Sequence, residues 1–170
     1  LLRSAGITDV SVEQVSGFLS DHYDPLSRTL RLSPSVYKSS SLASIGVACH
    51  EAGHAIQHKR GFVWMHLRTA MVPATNISSW LSYIVIIIGF LLSSTNFILL
   101  GAIIFSAAVL FSIVTLPVEW DASSRAKRLM VDAGIVSRNE AAYAGKVLNA
   151  AFMTYVAAAV SSLLTLLYYL

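Results

Sequence analysis

His50, Glu51 and His54, in the run Ala48-Cys-His-Glu-Ala-Gly-His-Ala-Ile56, form an H-E-x-x-H motif. A helix turns about 100° per residue, so positions i and i+4 share a face and both imidazoles can reach one tetrahedral Zn²⁺. A bound zinc lowers the pKa of its water toward neutrality, and a carboxylate beside that water can take its proton and pass it to a leaving amine. These residue types at this spacing point to a zinc hydrolase, with His50 and His54 on the metal and Glu51 as the catalytic base.

The motif works only on a helix, and its surroundings provide one. Ser39, Ser40 and Ser41 offer N-caps, and Leu42, Ile45, Val47 and Ala48 give an apolar side, predicting a helix over 41–58. Gly53 costs a helix interior about 1 kcal/mol relative to alanine, which predicts a close approach by another backbone or by substrate. Cys49 points away from the metal face and is read as helix packing. As the lone cysteine it excludes an intramolecular disulfide and suits a reducing compartment.

A third protein ligand is still required. Position 60, where a metzincin would place another histidine, is Arg60. His58 is about 12 Å along the helix axis from His50, too far to share the ion, and reads as a helix-end histidine. The candidate is Glu119, in Leu116-Pro-Val-Glu-Trp-Asp-Ala-Ser-Ser-Arg-Ala126, a carboxylate directly after an apolar span. With it the set is His, His, Glu, the thermolysin-type arrangement. Pro117 suits the first turn of a new helix or a kink within a longer one. Asp121 is about 200° around the helix from Glu119 and is expected to pair with Arg125, whereas Ser123, one turn on, faces the same way and could support the site.

The elements that must position these residues are largely membrane-bound. Of 170 residues, 55% are hydrophobic and 12% charged, too apolar for a solvated globular domain. Spans are expected over 77–94, 97–118 and 150–170, with Ser93 to Asn96 as the turn of a helical hairpin that returns Glu119 to the side of His50. All twelve Lys and Arg residues lie in 1–76 or 119–149, so the positive-inside rule makes both regions cytosolic. The net charge of +3 is then assigned to juxtamembrane anchors such as Lys59, Arg60 and Arg68 facing anionic lipid, and no basic run interleaved with aromatics suggests nucleic acid. Trp64, Trp80, Tyr168 and Tyr169 are expected in aromatic belts.

The soluble parts divide in two. Residues 10–33 read as short strands around an Asp24-Pro25-Leu26-Ser27 turn, a small sheet whose edge could hold an extended peptide. Asp21, His22, Tyr23 and Asp24 read as ordinary turn chemistry. Ser137-Arg-Asn-Glu140 is a capping box opening the last helix, after a stop at Gly134. The expected fold is mainly α and integral to the membrane: a zincin-like active-site helix with a small N-terminal β element, a transmembrane helical hairpin and a C-terminal transmembrane helix. The expected division is 1–76 with the zinc motif, 77–118 as the hairpin, 119–149 with the third ligand and 150–170 as the last span.

Four stretches, Ser20-Asp-His-Tyr-Asp-Pro25, Leu30-Arg-Leu-Ser33 with Val36-Tyr37, Val47 to Gln57 and Leu116 to Ala126, resemble the YugP-like neutral zinc metallopeptidases of bacterial membranes. The resemblance covers nearly the whole chain. It implies a zinc site at His50 and His54, Glu51 as the catalytic glutamate, and an N-terminal membrane helix upstream of Leu1. More distantly, the chain is similar to membrane heat-shock and prenyl-protein endopeptidases, whose third ligand opens an E-x-x-x-D motif. Here Glu119 holds the first position, and Ser123 stands where that Asp would be.

The expected function is a membrane-anchored, zinc-dependent endopeptidase of a bacterial cell membrane, acting on peptides or proteins from the cytosolic side. His22, Arg125 and Tyr143 are candidate oxyanion donors. An intramembrane protease is disfavoured because Lys38 to Ser41 and His58 to Arg60 leave the motif helix too short and polar to span. The alternative is a non-catalytic scaffold or adaptor with a structural zinc, which would need a fourth ligand from His22, His58 or His66.

Overall fold

The computed structural model describes residues 1–170. Three short strands, β1 (Ser11–Gln14), β2 (His22–Asp24) and β3 (Thr29–Leu32), precede five helices: α1 (Pro34–Tyr37), α2 (Leu42–Lys59), α3 (Val63–Leu91), α4 (Thr95–Asp132) and α5 (Arg138–Tyr169). The fold is thus mainly helical with a small N-terminal sheet, and α3, α4 and α5 are each long and apolar enough to cross a membrane.

The sheet has the order β1-β3-β2. β2 pairs antiparallel with β3 through a tight connection, while β1 pairs parallel with β3, placing Val12 opposite Leu30. The expected turn is built by Asp24, whose Oδ1 accepts from Leu26 N at 3.0 Å and whose Oδ2 accepts from Ser27 Oγ at 2.7 Å and Arg31 Nη1 at 3.0 Å. Those donors hold the Asp24 carboxyl well below the usual carboxylate range, the Ser27 hydroxyl first and the Arg31 guanidinium next. Leu30 and Leu32, two residues apart, point to one face of β3 and pack with Tyr23 on Ala52 and Ala55 of α2, Met65 of α3 and Val118 of α4.

Helix α2 is the hub. Ser41 caps it by accepting from Ser44 N at 3.1 Å, and Gly61, at φ 66°, turns the chain away after it. One side carries Ala52 and Ala55 into the cluster under the sheet. Cys49 enters a second cluster with Ala126 and Met130 of α4 and Ala141, Ala144 and Leu148 of α5. The packing role expected of Cys49 is the one it has.

The long helices are less interrupted than the sequence suggests. The first apolar stretch belongs to a helix that begins at Val63, well before the expected 77, and runs through Pro73. Of the two places expected for Pro117, it takes the one within a longer helix, α4. At 38 residues, α4 is about 57 Å long, nearly twice a hydrocarbon core of about 30 Å. It therefore carries Glu119 out of the apolar layer without a break. Tight contacts at Gly89 and Gly101 join α3 to α4: a Cβ at Gly89 would lie 2.8 Å from Ile98 N, and one at Gly101 would lie 3.1 Å from Ser82 O. α5 opens with the predicted capping box, in which Ser137 N donates to Glu140 Oε2 at 2.8 Å and Glu140 N to Ser137 Oγ at 3.3 Å.

The close approach anticipated at Gly53 is made by α4. A Cβ built there would stand 2.8 Å from the carbonyl oxygen of Ala122, whereas one at Gly46 would meet Ala144 Cβ at 3.4 Å. Gly53→Ala should therefore force α2 from α4 and cost about 1–3 kcal/mol, visible as a lower thermal midpoint in detergent. Gly46→Ala should be neutral or slightly stabilising through helix propensity. Equal midpoints for the two variants would contradict this packing.

Candidate metal centre and active site

Helix α2 presents His50 and His54 one turn apart, and α4 crosses it at Gly53 and Ala122, so Glu119, one turn before Ser123, faces both imidazoles. Glu119 Oε2 is 3.0 Å from His50 Nε2 and 3.6 Å from His54 Nε2. One ligand atom from each of the three residues falls within 4.8 Å of the others, a group that could hold a metal ion. Glu119 is 1% exposed and His54 6%, so the centre is screened from bulk water.

The outer ring nitrogens of both histidines are held. His50 Nδ1 lies 3.0 Å from Ser123 Oγ, and His54 Nδ1 lies 3.0 Å from Gln57 Oε1. An amide oxygen can only accept, so Nδ1 of His54 carries the proton and the neutral ring turns an Nε2 lone pair inward. Lone pairs of two imidazoles facing a carboxylate oxygen repel unless a cation or a proton sits among them. The donor set thus fits a divalent ion with N and O preferences. Burial disfavours a charged His54, but the hydrogen bond and charge of Glu119, aided by Glu51, outweigh it and raise its pKa.

Around this group lies a support network that the sequence did not reveal. Gln57, fully buried, donates through Nε2 to the carbonyl of Val118 and to Asp121 Oδ2, each at 2.8 Å. It ties His54 on one helix to the turn bearing Glu119 on the other. Asp121 pairs with Arg125, as expected from i,i+4 spacing, yet it also reaches the metal group through Gln57. Ser123 occupies the supporting place anticipated for it.

Arg68, read from the sequence as a lipid anchor, sits elsewhere. Its Nη2 is 3.8 Å from Glu119 Oε1, and its Nε is buried without a hydrogen-bond partner. The second oxygen of Glu119 therefore faces a cation of α3 while the first faces the histidines.

A pocket of about 190 Å³ opens beside the group, and His50, Glu51, Glu119 and Ser123 line it together with Asp21, Phe152 and Tyr155. Glu51, 9% exposed, therefore shares one pocket with two of the three candidate ligands. The proposed oxyanion donors are not there. His22 turns its Nδ1 to Ser20 O at 2.7 Å, Arg125 pairs with Asp121, and Tyr143 is exposed beneath Lys146. His58 bonds the Tyr23 hydroxyl at 2.9 Å and stacks near His66, apart from the metal group. Asp21 is a structural clamp that accepts from Ser33 N at 2.8 Å and Ser33 Oγ at 3.0 Å.

Three donors, two of them buried, that converge beside a second carboxylate on a helical membrane scaffold define a candidate metallohydrolase centre, and family comparison gives the class. The chain belongs to the family described as "Putative neutral zinc metallopeptidase", which it matches over residues 1–170. It is 48% identical over 167 residues to the "Putative membrane protease YugP" of Bacillus subtilis (strain 168), an alignment covering 98% of this chain and 74% of that protein. No solved structure matches it.

The network makes a stability prediction of its own. Gln57→Leu keeps the volume but strands the buried His54 Nδ1–H, at about 1–3 kcal/mol for a buried group left unpaired, and removes one donor each from the Val118 carbonyl and Asp121. The variant should melt well below the parent in detergent. An unchanged midpoint would show that these contacts carry no weight.

Proposed function

We propose that the protein is a membrane-anchored zinc endopeptidase, its active site facing the cytosol, with His50, His54 and Glu119 as metal ligands and Glu51 as general base. The observation that carries the reading is the convergence of the three ligands within 4.8 Å in a group bordered by Glu51. Zinc is the metal that a family of zinc peptidases implies, and a two-His, one-Glu set leaves a coordination position open for chemistry.

When bound, zinc would supply Lewis acidity that polarises the scissile carbonyl and brings a water to a pKa near 7. Glu51 accepts the proton of the attacking water on its carboxylate and returns it to the departing amine nitrogen. Tyr155 lines the pocket where His22, Arg125 and Tyr143 do not, which supports it as the phenol that donates to the developing oxyanion. Gln57 holds His54 in the tautomer that ligation needs, and Ser123 holds the His50 ring in place. β2 pairs along one edge only, which suits an extended peptide laid as a further strand beside the pocket.

Orientation follows from charge. The hairpin turn between α3 and α4 carries no Lys or Arg, and the basic residues lie at the other ends of these helices, favouring a cytosolic face for 1–76 and 119–149.

Glu51→Gln should keep its zinc yet lose peptide cleavage by about 10²–10⁴-fold, with metal content measured beside turnover of an unstructured protein substrate in detergent. Cleavage at the parent rate would remove Glu51 from the mechanism. Tyr155→Phe should lower kcat with zinc content intact; a loss of zinc instead would make Tyr155 a support for Glu119 rather than a donor to substrate.

A further inference from the structure

The β1–β2 loop ends in two apolar side chains that nothing in the chain covers. Phe18 is 84% exposed and Leu19 78%. From Gln14 to Ser20 the loop has no charged residue. Its backbone is not slack: Leu19 sits at φ 53° and Gly17 at φ 116°, both in the left-handed region, where a leucine is strained. The loop base is fixed, with Ser20 O bonded to His22 and Asp21 clamped by Ser33. A restrained backbone that turns apolar side chains outward needs an apolar counterpart.

Position identifies that counterpart. Leu19 lines the same pocket as Ala151, Phe152 and Tyr155 of α5, residues at the start of the last apolar span. At the same level, Phe152 stacks on Trp120 of α4 with ring centroids 5.2 Å apart, and Trp120 is 57% exposed. Lys127 lies over the same indole, its Nζ 5.7 Å from the ring centroid. Exposed aromatics where a span meets its polar extension, with a lysine on the polar side, mark the bilayer interface. The loop therefore stands beside a lipid-facing helix at interface depth.

We propose that Phe18 and Leu19 dock into the bilayer interface next to α5, so that the mouth of the pocket opens at the membrane surface and admits segments lying on or emerging from it. The contact continues the lipid-facing belt of Trp120 and Phe152 onto the sheet domain. It rests on the membrane spans and not on the catalytic assignment. Leu26, 91% exposed in the turn after β2, at the opposite end of the strand from this loop, lines no part of that pocket and is expected to remain in water.

The test places a nitroxide label at Phe18→Cys and, separately, at Leu26→Cys, in full-length Cys49→Ala protein reconstituted in phosphatidylcholine–phosphatidylglycerol liposomes. Power-saturation EPR should show the label at 18 more accessible to oxygen than to a water-soluble nickel chelate, and the label at 26 the reverse. Equal chelate access at both positions would overturn the proposal. So would protection of position 18 that develops only on adding a soluble peptide, which would assign the loop to substrate instead. Zinc content and thermal midpoint, matched to the parent, confirm that both labelled proteins are folded.

Discussion

Burial of the Glu119 carboxylate is the constraint that organises the molecule. It follows an apolar stretch without a spacer and is 1% exposed, so its desolvation costs several kcal/mol unless positive or proton-bearing partners meet it. A guanidinium from α3 does so, and two imidazoles from α2 converge on the carboxylate with a proton or metal ion between them. Such partners can reach Glu119 only if α2 lies almost on the backbone of α4. That need accounts for a glycine at 53, three residues after one histidine and directly before the other, where any side chain would strike Ala122 O.

The surrounding polar groups form a chain across the same crossing. Asp121 holds Arg125 and accepts from Gln57, Gln57 orients His54, and Ser123 orients His50. Each group satisfies a neighbour that would otherwise be buried unpaired, so the network fixes ring orientation and helix register together. A centre held this way is preorganised by rigid helices, and the pocket beside it borrows its far wall from α5 and one corner from the β1–β2 loop. The helical membrane frame and the peptidase family are thus connected physically: the hairpin returns α4 to α2, and α5 closes the pocket.

Much of this was legible in the residues. The motif helix, the hairpin, the Asp121–Arg125 pair and the capping box at Ser137 all depend on local spacing, which sequence displays, and the hairpin was enough to bring Glu119 and Ser123 beside the two histidines. What escaped depends on distant contacts. Gln57 has no signature, since its partners Val118 and Asp121 are brought to it only by folding. Arg68 looked like a lipid anchor because basic residues beside spans usually are; its turn toward Glu119 is a tertiary fact. His22, Arg125 and Tyr143 had suitable chemistry but were already engaged or faced outward, while Tyr155 was concealed within an apolar run. In the sheet, His22–Asp24 read as turn chemistry but forms a strand, and the parallel pairing of β1 with β3 could not be seen in alternation alone. The early start of α3 was hidden by Pro73, which a long helix buried among neighbours or lipid tolerates.

The central claim is that His50, His54 and Glu119 bind one metal ion together. The most direct measurement is the zinc content of detergent-purified protein after dialysis against buffered zinc, parent beside Glu119→Ala. About one zinc per parent chain is expected, with at least tenfold weaker retention in the variant, since removing one of three ligands opens the site. Full, equally tight zinc in both proteins would contradict the claim and place the third ligand elsewhere.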